Sequence, residues 1–328
     1  MAGFETGTPA ILSVARASAQ GYILLPRLEQ VIMPGAGFST KLASSTSSNP
    51  FITSPGPFDL DMLQSSKLTY RCADSCNGTY VSASTTSSSH SSDHLSMTLG
   101  IGLGNAVLSA SVTGSYDKAV LEDKSSSKIS RRTSVQCGAV HLQRPPPLSA
   151  EALQLLNSSE HGFEAFCERY GDFYVSGFII GADAGVLVSQ ALSRRESSEK
   201  LRAKVDVQFL CFSAEKVMEK DVEGLAEEVE LNLFAFDSMD NSLVRLPGNA
   251  GKLRLQEAGE LTREYSARIE GMAEAVMRAV GKMSDIQEEE KTLSWHNLGQ
   301  VLLSRFVSRL VLMPMSTHRE VAPHVKRA

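Results

Sequence analysis

The chain has 328 residues, with 32 Lys and Arg against 37 Asp and Glu, a net charge of −5. This acidic balance argues against nucleic-acid binding, which needs a basic face, and the length suits one large domain or two modest ones. No apolar run reaches the roughly 18 residues of a transmembrane helix. Residues 1–21 lack the basic start and apolar block of a secretory leader. The five cysteines, odd in number and loosely spaced, make no disulfide framework and point to a reducing compartment.

In chain order, residues 39–57 are rich in Ser, Thr and Pro and read as an irregular connection. From Ser82 to Thr98, eleven of seventeen positions are Ser or Thr, too polar to bury, so a flexible segment is expected. Leu95, Met97, Leu99, Ile101 and Leu103 then alternate with small or polar residues, the period of a half-buried strand. Past Gly100, Gly102 and Gly104 the phase changes. Ala106, Leu108, Ala110, Val112, Gly114 and Tyr116 form the next apolar stripe. A polar tip at 122–127 leads to a return block, Ile129 to Leu142, with Thr133, Val135, Cys137 and Ala139 on one face. The expectation is a long amphipathic hairpin.

Pro145-Pro146-Pro147 ends that block, and Ser149 is placed to cap a helix with its hydroxyl. A second short helix ends at Tyr170-Gly171, where glycine permits a left-handed exit. Phe173 to Ile180 follows as an apolar run, a strand covered on both faces. Gly177, Gly181 and Gly185 recur along it, and glycines inside a strand mark bends or close backbone approach. A second hairpin is expected downstream. Its first strand carries Leu201, Ala203, Val205, Val207, Phe209 and Cys211, and its return strand Val229, Leu231, Leu233 and Ala235, with a helix-prone Ala214 to Ala226 between them. Leu261, Tyr265, Ile269, Met272, Val276, Val280 and Met283 step by three and four along one helix. A short helix and a last strand, Phe306 to Met313, close the chain before Pro314. The fold class is α+β with antiparallel pairing.

Chemistry is absent from the motifs. Ser125 to Lys128 and Ser197 to Lys200 each fit Ser-x-x-Lys without its companions. Cys72 and Cys76 have no nearby His pair to complete a metal site. His141 and His161 belong to no nucleophile–base arrangement. No catalytic residue, metal or cofactor is expected, and the chain does not read as an enzyme.

One motif carries a family resemblance. Tyr170, Gly171, Tyr174 and Gly181 fall with the right spacing on the signature of the membrane attack complex/perforin (MACPF) family, whose superfamily includes the cholesterol-dependent cytolysins. Asp172, Phe173 and Ala182 depart from it, standing where the family has Thr or Ser, His, and a second Gly. Pro34-Gly35-Ala36-Gly37-Phe38 resembles the family's glycine–aromatic start, and Leu310 to Pro314 its terminal strand. The resemblance spans residues 33–321, leaving 1–32 as an N-terminal extension, 322–328 as a tail, and 82–98 as a flexible segment inside the domain; it looks closest to fungal members.

The resemblance implies a bent antiparallel sheet flanked by helices, and two flanking segments that unfurl into membrane hairpins. It further implies a homo-oligomeric ring whose hairpins join one β-barrel, acting on membrane lipid or a membrane-bound partner, with a separate targeting partner as a further possibility. The implied membrane-facing side chains are Leu108, Ala110, Val112, Tyr116, Val135, Leu201, Ala203, Val205, Val207, Phe209, Leu231 and Leu233. Thr133 to Ala139 and Val229 to Ala235 are free of charge on that stripe for only seven residues, with Arg131 and Glu227 next in line. The implied protein is soluble as a monomer, cytoplasmic or non-classically secreted, and membrane-associated once assembled. The alternative is a soluble, non-lytic interaction protein of the same fold.

Overall fold

The computed structural model describes residues 21–28, 30–43, 49–85, 115–116, 128–190, 231–240, 242–246, 264–265, 267–268, 271–278 and 292–325. Ten strands among these form one antiparallel sheet: β1 (Ile23–Pro26), β2 (Gly37–Phe38), β3 (Phe51–Ile52), β4 (Leu68–Thr85), β5 (Lys128–Leu142), β6 (Phe173–Gln190), β7 (Leu231–Asp237), β8 (Ser242–Leu246), β9 (Thr292–Leu293) and β10 (Val307–Pro314). The main order is β1-β10-β6-β5-β4-β9, with β7 and β8 attached beside β6, and β2 and β3 at its start. Helices α1 (Thr40–Ala43), α2 (Leu60–Ser65), α3 (Ala150–Leu156), α4 (Gly162–Tyr170), α5 (Trp295–Leu303) and α6 (Ala322–Val325) complete the labelled elements.

β6 is the hub. Along one edge it pairs with β5, from Lys128 opposite Ser189 to His141 opposite Gly177. Along the other it pairs first with β10, from Phe173 to Ile180, and then with β7, from Ala184 to Gln190. Register shifts fall at Cys72/Asn77 of β4, Gln136/Gly138 of β5 and Val311/Leu312 of β10. Such bulges bend strands and raise their twist. The result is a bent antiparallel sheet in an α+β fold.

Helices cover both faces of the lower half, which is why the start of β6 is apolar throughout. Phe173, Val175 and Phe178 pack in the cluster that holds Ile23, Leu25, Val140, Leu310 and Leu312 with Leu298 and Val301 of α5. Tyr174 points the other way, into Phe58, Leu156, Phe166, Tyr170, Met315 and Val321. Burying one such aliphatic or aromatic side chain contributes about 1.5–3 kcal/mol. Ser149 caps α3 as its sequence position requires, its hydroxyl accepting from the Ala152 N–H at 3.2 Å. Helix 271–278 buries Met272 and Val276, and Tyr265 is buried just before it, on the expected stripe.

Four sequence expectations change. The return block Ile129 to Leu142 is a strand, but both of its edges are occupied, by β4 and by β6. A strand has only two edges, so residues 106–116 cannot be its hairpin partner; moreover Ser115 and Tyr116 are helical. Leu233 to Asp237 is likewise held between β6 and β8, which excludes residues 201–211 as the neighbour there. The Ser-rich segment does not begin at Ser82, because β4 continues to Thr85. Finally, Cys137 is disulfide-bonded despite the unpromising cysteine spacing. Beside these, β1 and its buried Ile23 and Leu25 lie upstream of residue 33, and α6 runs past residue 321.

Candidate functional site

The feature of interest is one end of the sheet. Thr85 faces Lys128 at the end of the β4–β5 pair. Lys128 faces Ser189 on β6, and the next β6 residue, Gln190, faces Leu231 at the end of the β6–β7 pair. On four adjacent antiparallel strands the described residues therefore reach one common row. Residues 86–127 join the first two of them and residues 191–230 the last two. The sequence-predicted Leu108, Ala110, Val112, Leu201, Ala203, Val205, Val207 and Phe209 lie in these connections, outside the described residues. Leu231 stands at the row itself. Leu233 and Val135 are each 1% exposed within the sheet.

Tyr116 is the described contact between the first connection and the sheet. It is fully buried against Leu187, Phe234 and Phe236. Its ring lies 4.7 Å from that of Phe236 and 5.8 Å from that of Phe234, and its hydroxyl donates to the Val186 carbonyl at 3.2 Å. Tyr satisfies both halves of this setting, an apolar ring for the sheet and a donor for the backbone.

Behind that patch sits a buried charge cluster. Arg132 stacks on Phe236 at 5.6 Å and approaches Asp183 at 3.7 Å. Arg309 approaches the other Asp183 oxygen at 3.8 Å and donates to the Ser134 hydroxyl at 2.6 Å. Asp183 is 1% exposed and sits where β6 exchanges β10 for β7. Its carboxylate makes charge contacts without hydrogen-bond geometry. The sequence carried a signal for it, since Asp183 is the sole charge between Phe173 and Gln190.

The β7–β8 turn is tied down from three sides. The Asp183 N–H donates to the Ser238 hydroxyl at 2.8 Å. Arg268, from the helical segment over the sheet, contacts Asp240 at 3.0 Å, Glu264 at 2.9 Å and Asp237 at 3.6 Å. Arg305 donates to the Met239 and Asp240 carbonyls. Burial pushes the Asp237 carboxyl above its ordinary range, and the nearby Asp240 charge adds to this against the pull of Arg268. The Arg268 guanidinium is held above its ordinary value by Asp237 and Glu264, although burial works against its charge.

The signature residues shape this sheet from the opposite end. Gly171 ends α4 at φ 89°, and a Cβ there would meet the Phe38 backbone at 2.4 Å. At Gly181 a Cβ would lie 1.9 Å from the Val135 carbonyl, so close strand approach demands glycine. Tyr170 and Tyr174 are buried, and burial raises the Tyr174 phenol to about 12. Asp172, the departure from the family pattern, accepts from the Thr40 N–H at 2.8 Å and from the Thr40 hydroxyl. It thereby caps α1. Burial, reinforced by the Asp172 charge, raises the Cys167 thiol to about 12, which makes it a poor nucleophile.

No group of residues fit to hold a metal ion occurs among the described residues. No described helix is long and apolar enough to cross a membrane, which leaves membrane-crossing strands open.

No family model matches the chain, and neither does any curated protein. Solved structures do resemble it. Stonustoxin aligns at 9% identity and a TM-score of 0.40, over 93% of this chain and 34% of its own. A non-hemolytic pneumolysin from Streptococcus pneumoniae aligns at 7% identity and 0.38, over 88% of this chain and 58% of its own. A cell invasion protein with a MAC/Perforin domain from Bacteroides thetaiotaomicron aligns at 12% identity and 0.30, over 72% of this chain and 58% of its own. The chain spans between a third and three-fifths of the length of these structures.

Proposed function

We propose that this chain is a MACPF-like, membrane-interacting protein that oligomerises and inserts residues 86–127 and 191–230 as two β-hairpins per subunit. The observation that supports it is that both connections leave four adjacent, paired strands on one row, at Thr85, Lys128, Gln190 and Leu231. Hairpins growing from that row continue four neighbouring strands in their existing register. A closed barrel of such strands satisfies every backbone group in lipid, and each strand needs only about 9–11 residues to cross. On this reading the stripes at Leu108 to Tyr116 and at Leu201 to Phe209, with Val135, Leu231 and Leu233, turn toward lipid after rearrangement. Arg131 and Glu227 then sit at the interfaces, since a charge at mid-bilayer costs roughly 2–4 kcal/mol. Tyr170, Gly171, Tyr174 and Gly181 have a structural role. The partners are membrane lipid or a membrane-bound receptor and further copies of this chain, with targeting supplied by a separate protein; the affinity to fungal members rests on the sequence motifs alone.

A non-lytic interaction protein is the second reading. Its support is β8, which pairs along β7 from Leu233 to Asp237 and covers the edge that a neighbouring subunit would join.

Dye release from zwitterionic and anionic liposomes, with negative-stain imaging, separates the two. Release together with rings is expected. Cysteines placed at Leu108 and Val205 and labelled with an environment-sensitive dye should both shift to an apolar signal on vesicle addition. A monomer that releases nothing from any vesicle and shows no shift sinks the pore reading and leaves the second.

A further inference from the structure

β10 ends at Pro314, and the chain continues as a strap through a short turn at Met315–Thr317 into α6. The Met315 N–H donates to the Asp172 carbonyl at 2.9 Å, which fixes the strap's start to the sheet. Further on, Val321 is fully buried in the cluster that holds Phe58, Leu148, Leu156 and Tyr174. Two other segments meet in that cluster. Phe58 bridges Leu148, the Asp59 N–H donates to the Pro147 carbonyl at 3.0 Å, and the Ser149 N–H donates to the Pro57 carbonyl at 2.9 Å.

Two residues fasten the strap to this pair. His318 is 1% exposed, its ring 5.7 Å from that of Phe58. Its Nε2 lies 3.0 Å from the Pro146 carbonyl, which can only accept, so Nε2 donates. The Glu320 N–H donates to Nδ1 at 3.3 Å, and the Glu320 carboxylate accepts from the Leu148 N–H at 2.7 Å. Only one neutral tautomer satisfies both ring nitrogens. A proton on Nδ1 would set N–H against N–H and push the Glu320 backbone away. The same residue holds Leu148, so both fastenings depend on that one nitrogen. Burial, the largest influence, lowers the ring's pKa below 6.5; the Pro146 carbonyl and Glu320 oppose it, and Arg319 adds to it. The Tyr174 phenol and the Cys167 thiol of the same cluster are raised to about 12 and stay neutral. Asp59 is engaged at the start of α2 by the Met62 N–H, and Asp172 by Thr40.

We propose that His318 is a pH-sensitive latch: neutral, it fastens residues 316–325 onto the Pro146–Leu148 segment, and protonated on Nδ1 it releases them while the sheet stays paired. The fastened ring binds a proton less readily than the released one. The latch is therefore fully closed above about pH 6.5 and opens as pH falls through that value toward the lower pKa of the fastened ring. Release uncovers Val321 and the Phe58–Leu148 pair, an apolar surface offered only in acid. The latch does not depend on the membrane reading.

Amide hydrogen exchange of the whole chain, corrected for intrinsic rates, reads the latch at Leu148, Glu320, Val321 and Ala322, whose N–H groups bond within it. Their protection should fall by up to about tenfold between about pH 7.5 and about pH 5.5. It should also be insensitive to low urea, the mark of a local opening, while Val175 and Leu312 of the sheet exchange only through the urea-dependent global route. His318→Gln keeps a donor for Pro146 and an acceptor for the Glu320 N–H but takes up no proton, so its protection should not change with pH. Unchanged protection in the wild type, or exchange of the strap only by the global route, overturns the latch. A fall that persists in His318→Gln belongs to Glu320 and overturns it too. Magnetic resonance titration of the wild-type ring gives a check that needs no variant. A ring titrating below 6.5, tracked by the Leu148 amide, is expected, and one titrating at 6.5 or above overturns the proposal.

Discussion

At the scale of single residues, the fold relies on positions where one atom more is too many. Gly171 combines a positive φ with backbone contact to Phe38, so an alanine there is strained and crowded at once. Gly171→Ala should cost about 3 kcal/mol or more, read as a lower urea midpoint at unchanged slope. His318 makes a different kind of prediction. It is 1% exposed, with Nε2 at 3.0 Å from the Pro146 carbonyl and Nδ1 accepting from the Glu320 N–H at 3.3 Å. Nδ1 accepts, so Nε2 carries the proton and the folded ring is neutral. Burial lowers its pKa below the ordinary 6.5, so the unfolded chain binds the proton more readily than the folded one. Stability from this group is complete above about pH 6.5 and is lost as pH falls through that value toward the folded pKa. His318→Gln should flatten the fall in melting temperature between about pH 7 and pH 5; an unchanged slope would remove His318 as its source.

At the scale of elements, two interactions hold the upper sheet together. Tyr116 keeps the first connection on the β6–β7 face. Tyr116→Ala should destabilise by roughly 3–5 kcal/mol and Tyr116→Phe by about 1 kcal/mol. Limited proteolysis should then cut within residues 86–127 faster in the alanine variant, and equal cutting rates would deny Tyr116 that role. Asp183 stands between Arg132 and Arg309 at the point where β6 changes neighbours. Removing its charge takes a buried counter-charge from both guanidinium groups, so Asp183→Asn should lose about 3–5 kcal/mol by chemical denaturation. A change below about 1 kcal/mol would mean that the charge contacts add little.

The legibility of elements followed their chemistry. β5, β6, β10, α3 and α5 were readable because their stripes and caps are local in sequence. β4 was not. Its Ser, Thr and Gly residues form no apolar stripe, and the bulge between Cys72 and Asn77 breaks what period there is. The partners of β5 and β7 are not the segments nearest in sequence, because adjacency along the chain is not adjacency in the sheet. The alignment of β4, β5, β6 and β7 on one row is invisible for the same reason, since it depends on several registers at once.

At the scale of the whole molecule, the sheet begins earlier than the glycine–aromatic motif. Ile23 and Leu25 of β1 are buried against β10. A chain starting at Leu28 should therefore lose several kcal/mol against one starting at Gly21, about 1.5–3 for each buried side chain removed. Equal stability of the two would place β1 outside the cooperative unit. By itself the sequence determined the class of the fold, its acidic charge balance and the lack of an apolar run long enough for a transmembrane helix. Composition and short-range periodicity are properties of neighbours along the chain, so they survive without coordinates. Only the tertiary structure decided which strands pair, that Tyr116 lies buried in a helix, that Asp183 has two arginines, and that both long connections leave from one end of the sheet. Each of these joins residues far apart in sequence, and a strand's two edges do not reveal their neighbours until the chain is folded.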